Sequence, residues 1–192
     1  GAVGFPLPGV SLRIADPDSG RLLPDGEIGV IEVKGPNVFK GYWRMPEKTA
    51  AEFRPDGFFI TGDLGRIDER GYVYIVGRGK DLVISGGFNV YPKEVETEID
   101  ALPGVVESAV FGVPHPDLGE GVTAVVVRKG GDAIDEGGVL AAIRDRLARF
   151  KQPKRVLFVD ELPRNSMGKV QKNLLRDAYR DLYAGGPSSK AG

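Results

Sequence analysis

From residue 1 to about residue 78, apolar residues come in short and often alternating runs, each broken by turn chemistry. GVSLRIAD leads into PDSG, GEIGVIEVKG follows LPDG, and GYVYIVG follows DERG. Runs of this period, bounded by Asp-Ser-Gly, Asp-Gly and Arg-Gly, predict antiparallel strands joined by hairpins. Only PEKTAAEF, Pro46 to Phe53, predicts a helix, with proline at its first position and good helix formers behind it.

Beyond Asp81 the period changes. Pro92 to Ala101 sets Val95, Ile99 and then Leu102 on one face and Glu94, Glu96, Glu98 and Asp100 around the rest, the pattern of an amphipathic helix. VVESAVFGV and GVTAVVVRK predict β-branched strands, and RVLFV another. Gly138 to Phe150 repeats Val139, Ile143 and Leu147 at helical spacing, with basic residues at its end. Gln171 to Tyr183 carries Leu174, Leu175, Ala178 and Leu182 on a last predicted helix. The fold class expected is therefore α+β. A strand-rich, antiparallel, barrel-like subdomain spans 1–79 and a small domain of mixed sheet and flanking helices spans 80–183. The last stretch, AGGPSSKAG at 184–192, has the composition of a disordered tail.

Composition narrows the function. The 192 residues hold 26 Lys and Arg against 27 Asp and Glu, a net charge of −1, which offers no field for nucleic acid or an anionic membrane. No apolar run of about eighteen residues is present, and no signal segment opens the chain. With no cysteine there is no disulfide or thiolate chemistry, as suits a reducing cytoplasm. A single histidine, His115, argues against a histidine-rich metal site or a Ser-His-Asp triad; between its prolines it reads as a loop residue with no catalytic role. Glycine, at 28 residues, is about twice its average usage, which predicts many tight turns. The opening GAVGFPLPGV lacks an initiator methionine, and the expectation is a piece of a longer protein.

Several residues could carry chemistry. Asp63 follows Thr61-Gly62 after an apolar strand; a carboxylate there can accept two vicinal ribose hydroxyls or simply bond its own turn. Arg78 and Lys80 flank Gly79, one a fork for ribose or phosphate oxygens, the other a mobile point charge. Ser85-Gly86-Gly87 is either a tight hairpin or a place where a ligand passes bare backbone. Lys169 follows Gly168 in a loop that opens the last helix, without the spacing of a phosphate-binding P-loop. RFKQPKR, with Phe150 and Lys154, can stack a base and hold a phosphate, or be a solvated helix end.

Taken in order, these segments resemble the C-terminal part of the ATP-dependent acyl-CoA synthetases, the superfamily shared with firefly luciferase and peptide-synthetase adenylation domains. The likeness runs from Gly1 to about Tyr183. It includes a Thr-Gly-Asp motif as GFFITGD, a hinge motif as GRGKDLVISGGFNVYPKEVE, and a Pro-to-Gly-Lys motif as PRNSMGKVQK. GPNVFKGYWRMPEKTAAEF and GVPHPDLGEGVTAVVV look most like malonyl-CoA synthetases.

The resemblance implies a ligase that joins a carboxylic acid to the α-phosphate of ATP and then transfers it to coenzyme A. It implies that Asp63 and Arg78 bind the nucleotide, that Lys169 is the catalytic cation, and that Lys80 is the hinge of a mobile small domain. Gly86, Gly87, Phe150 and Lys154 then meet coenzyme A. The phosphate loop, the adenine-contacting segment, the acyl pocket and most of the Mg2+ contacts belong to an N-terminal domain whose motifs are absent here. That domain is the expected partner, and this stretch alone is expected to be inactive. Two other readings stand beside this one: a carrier-protein-loading adenylation domain, and a non-catalytic module that binds a nucleotide or a partner.

Overall fold

The computed structural model describes residues 2–130 and 134–184, and these fall into two compact units, Gly1–Lys80 and Asp81–Gly192. The first unit is built on a five-stranded antiparallel sheet. Its strands are β1 (Ala2–Gly4), β2 (Ser11–Ala15), β3 (Gly29–Lys34), β4 (Phe59–Ile67) and β5 (Val73–Arg78). They lie in the order β1-β5-β4-β3-β2, with β1 and β2 at the edges. Helix α1 (Pro46–Glu52) starts on its proline as expected. Ile14, Ile31 and Val73 make a small core, packed by Leu12, Leu23 and Ile67.

One polar residue is buried inside this sheet. Glu32 on β3 is fully buried, yet its carboxylate meets Arg13 at 2.7 Å on one oxygen and Arg54 at 2.8 Å on the other. Arg13 stands directly opposite Glu32 on β2, and its guanidinium also reaches Asp56 at 2.6 Å and lies 3.8 Å over the Phe58 ring. A buried carboxylate is tolerable only with such partners, so the network ties the segment after α1 to the sheet.

The second unit contains β6 (Val83–Ser85), β7 (Phe88–Val90), α2 (Pro92–Asp100), β8 (Val105–His115), β9 (Gly119–Arg128), α3 (Glu136–Ile143), β10 (Arg155–Val159) and α4 (Lys172–Ala178). The sheet is mixed: β10 runs parallel to β9, and the other ladders are antiparallel. The long β8–β9 pair is its spine. Val110, Val122, Ala124 and Val126 face a core completed by Val95 and Ile99 of α2 and Val139 and Ile143 of α3. Ala109, Phe111, Val113, Val125 and Val127 face a second core with Leu162 and Leu175. Both faces are covered, hence the nearly continuous apolar run.

Four expectations need correction. The helix predicted over Gly138 to Phe150 stops at Ile143: Asp135 caps its start by accepting from Gly138 N–H at 2.7 Å, and the Gln152 amide donates to the carbonyls of Arg144 and Leu147. Leu147 stays buried beyond the helix, so the apolar spacing outlasts it. His115 ends β8 rather than sitting in a loop, with its ring 4.9 Å from that of Tyr183. Asp63 lies within β4, not in a turn after it. The last helix is shorter than its pattern, Lys172–Ala178. The tail predicted from residue 184 lies, apart from Ala184, outside the described residues.

Replacing Glu32 with Gln removes the charge that both arginines share. The expected cost is about 2–3 kcal/mol, somewhat below the usual penalty for breaking a buried pair because Arg13 and Arg54 can return to water. Urea unfolding of the wild type and the variant measures it.

Candidate functional site

The Thr-Gly-Asp segment sits on a bulge. Val30 pairs with Leu64 and Glu32 with Ile60, so a single residue of β3, Ile31, faces three of β4, Thr61 to Asp63. Extra residues of this kind bend a strand and re-aim its side chains. Thr61 closes the bulge. Its hydroxyl donates to the Ile31 carbonyl at 2.8 Å and accepts from the Asp63 N–H at 3.1 Å. Gly62 takes a φ of +74° with no neighbouring atom near its absent Cβ, so backbone conformation and not crowding calls for glycine there.

The bulge delivers Asp63 to Arg78. The two are cross-strand partners on β4 and β5, and Arg78 Nε lies 2.8 Å from Asp63 Oδ1. Arg78 is half exposed and Asp63 about a quarter exposed, so the pair borders solvent and can receive a ligand. A carboxylate oriented by a guanidinium, with further N–H groups on the fork, suits a pair of vicinal hydroxyls. Lys80 falls in a single tight turn, Gly79–Asp81, and is the last residue of the first unit.

In the second unit, Gly86 and Gly87 form the two-residue turn between β6 and β7, with φ of +59° and +81° and Ser85 opposite Phe88. Positive φ at both positions is the type I′ signature, so the hairpin alone accounts for both glycines. The next residue is a missed contributor. Phe88 is exposed and stacks on Phe150 with ring centroids 4.7 Å apart, which joins the Gly-Gly turn to the basic segment at Arg149–Lys151. Lys151 is held by Glu94 at 2.6 Å. Lys154 is half-buried, and its N–H donates to the Val122 carbonyl at 2.7 Å.

Lys169 does not open a helix; it flanks a hairpin. Arg164 bridges Val170, Asn165 N–H donates to the Lys169 carbonyl at 3.0 Å, and Gly168 N–H donates to the Asn165 carbonyl at 2.9 Å. Gly168 has a φ of +77°, as expected for a three-residue loop ending in a left-handed residue. The Asn165 side chain accepts from Met167 N–H at 3.0 Å and from Lys169 N–H at 2.9 Å.

The same construction appears at DERGY. Asp68 N–H bonds the Tyr72 carbonyl, Gly71 N–H bonds the Asp68 carbonyl, and Asp68 Oδ1 accepts from Arg70 and Tyr72 N–H. Burial would raise the Asp68 carboxyl pKa, but these hydrogen bonds outweigh it and hold it below the usual range. NSMGK therefore makes the turn of DERGY with a neutral residue in the aspartate's place. Two side chains pin this hairpin further. Arg164 donates to the Gly168 carbonyl at 2.7 Å, and Lys172, just past it, meets the buried Glu96 at 2.5 Å. Lys169 itself is exposed, and among the described residues of its unit its ammonium pairs with no carboxylate. Thr61, Asn165 and Phe88 left little trace in the sequence beyond their place beside a glycine.

Residues 94–169 match the AMP-binding enzyme C-terminal domain, and residues 1–43 match the AMP-binding enzyme domain that precedes it in that family. The chain belongs to the AMP-binding enzyme family. It is 49% identical over 179 residues to feruloyl-CoA synthase of an Amycolatopsis species, covering 93% of this chain and 36% of the relative. It is 44% identical over 175 residues to a long-chain-fatty-acid–CoA ligase of Bacillus subtilis, covering 91% and 31%. The crystal structure of ATP-bound MatB from Rhodopseudomonas palustris superimposes with a TM-score of 0.92 at 73% identity, over 95% of this chain and 36% of that one. The chain thus spans about a third of the length of these family members. Among the described residues, no group of three His, Asp or Glu side chains is placed to hold a metal ion.

Substituting Ala for Asn165 removes two hydrogen bonds from the Lys169 hairpin. At about 1 kcal/mol each, the amides of Met167 and Lys169 should exchange with solvent roughly five- to tenfold faster. Asp at the same position, by analogy with Asp68, should keep them protected. Residue-resolved hydrogen exchange checks both.

Proposed function

We propose that these residues are the C-terminal part of an AMP-forming acyl-CoA ligase. The observation that carries the reading is the 73% identity, maintained across 95% of the chain, to ATP-bound MatB, a malonyl-CoA synthetase, together with the Thr-Gly-Asp bulge and the Gly-Lys hairpin. The acid is malonate or a similar small dicarboxylate. Relatives named for ferulate and for long-chain fatty acids are 49% and 44% identical to the chain over the 179 and 175 residues that align; that supports a common chemistry in this region and an acid chosen elsewhere. The enzyme works in the cytoplasm, on the acid, ATP and coenzyme A, jointly with the N-terminal part of its own chain.

The reaction has two steps. A carboxylate oxygen attacks the α-phosphorus of ATP and pyrophosphate leaves, giving an acyl-adenylate. The sulfur of coenzyme A then attacks the acyl carbon, loses its proton, and AMP departs. Asp63 and Arg78 hold the ribose, the carboxylate accepting from its hydroxyls and the guanidinium fixing the carboxylate's direction. Lys169 sets its ammonium against the charge that gathers on the carboxylate and α-phosphate during attack, an electrostatic role. Lys80 is the joint at which the backbone turns between the two steps. The Gly86-Gly87 turn offers bare backbone to the pantetheine arm, while Phe150, stacked on Phe88, and Lys154 serve the coenzyme A nucleotide.

In the intact enzyme, Lys169→Ala should slow adenylate formation by about a hundredfold or more, the scale of one lost transition-state contact. Thioester formation from preformed malonyl-adenylate should stay within about twofold of wild type by the same reasoning, since that step gathers no charge at Lys169. Normal malonate-dependent ATP–pyrophosphate exchange in the variant would refute the assignment.

A further inference from the structure

The hairpin that carries Lys169 is tied to the sheet through two residues that the assigned roles leave unused, Arg164 in the hairpin and Glu107 on β8. Arg164 divides its fork between two acceptors. Nη1 donates to the Gly168 carbonyl at 2.7 Å, and Nη2 contacts the carboxylate of Glu107, 57 residues earlier in the chain. Gly168 is the residue immediately before Lys169. Glu107 lies on β8 at the irregular step in its pairing with β9, between the register pairs Val105–Arg128 and Glu107–Val127. Its backbone is therefore part of the most extensively buried ladder of the unit, whereas the hairpin tip is exposed from Ser166 to Lys169.

A charge that must meet a reacting centre is useful only if its direction is fixed before the reaction. Leu162 and Val170 pack the base of the hairpin into the second core, while its tip, Ser166 to Lys169, is exposed. The Glu107–Arg164–Gly168 chain ties a tip carbonyl to the sheet. An arginine suits this task because its planar fork can serve two acceptors in fixed relative directions, which a lysine cannot. Both side chains remain about a third or more exposed, so the pair contributes little to stability. Its conformational effect is the larger one.

We propose that Glu107 is a positioning residue for the adenylation step, acting through Arg164 on the direction of Lys169. This rests on the role given to Lys169 above. In the intact enzyme, Glu107→Gln should lower the rate of malonyl-adenylate formation about tenfold, within the range that misplacing a catalytic group can cost. Its KM values for ATP and malonate, its melting temperature and its rate of thioester formation from preformed adenylate should change little. Arg164→Lys should reproduce this, and the double variant should be no slower than either single one, as expected of two residues acting through one contact. Glu107→Asp should recover part of the rate.

Lys169→Ala, measured alongside, separates the two levels. If it slows adenylation while Glu107→Gln does not, or if Glu107→Gln slows both half-reactions equally, the positioning role is wrong and the catalytic lysine stands. If Lys169→Ala leaves adenylation intact, both fall together.

Discussion

The β8–β9 ladder is the constraint on which the second unit depends. Ten register pairs from Val105–Arg128 to His115–Gly119 place alternate side chains into two separate cores, so neither strand can slip by one residue without exchanging its faces. Everything proposed to act in this unit hangs from that ladder. Val110 N–H anchors Glu96, which holds Lys172; the Val122 carbonyl receives Lys154 N–H; and Glu107 reaches Arg164. A ladder buried on both sides is a rigid base, and the exposed loops it carries inherit its precision.

The first unit solves a similar problem with a bulge. Three residues of β4 opposite one of β3 turn Asp63 toward its cross-strand partner, and the Thr61 hydroxyl fastens the distortion at both ends. In both units the side chain proposed to function, Asp63 or Lys169, sits beside a glycine with positive φ, Gly62 or Gly168. It stays in place because a neighbouring polar side chain satisfies the backbone groups that the irregularity frees. Glycine permits the geometry; Thr61 and Asn165 select it.

Much of this was legible in the sequence, and the gaps have physical causes. The strands and helices announced themselves by period, whereas the roles proposed for Asp63, Arg78 and Lys169 rest on a family resemblance more than on spacing. The bulge was not readable, because the acceptor that makes it, the Ile31 carbonyl, lies thirty residues away from Thr61. Glu32 is a charged residue in a strand, and nothing in its own stretch of sequence signals burial; Arg13 and Arg54, arriving from other elements, make it possible. The premature end of α3 was set by Gln152, whose amide carries no periodic signature. Glu107 was hidden for the same reason, since its partner is 57 residues distant.

The central claim, that this protein activates an acid as its adenylate, has a direct isotopic test. Malonate carrying oxygen-18 in its carboxylates should be turned over by the intact enzyme with ATP and coenzyme A, and the nucleotide product analysed by mass spectrometry. Attack on the α-phosphorus transfers one carboxylate oxygen to that phosphorus, and it stays there when the thiol displaces AMP; the account therefore predicts AMP bearing one labelled oxygen. Label in inorganic phosphate, with ADP as the nucleotide product, would contradict it.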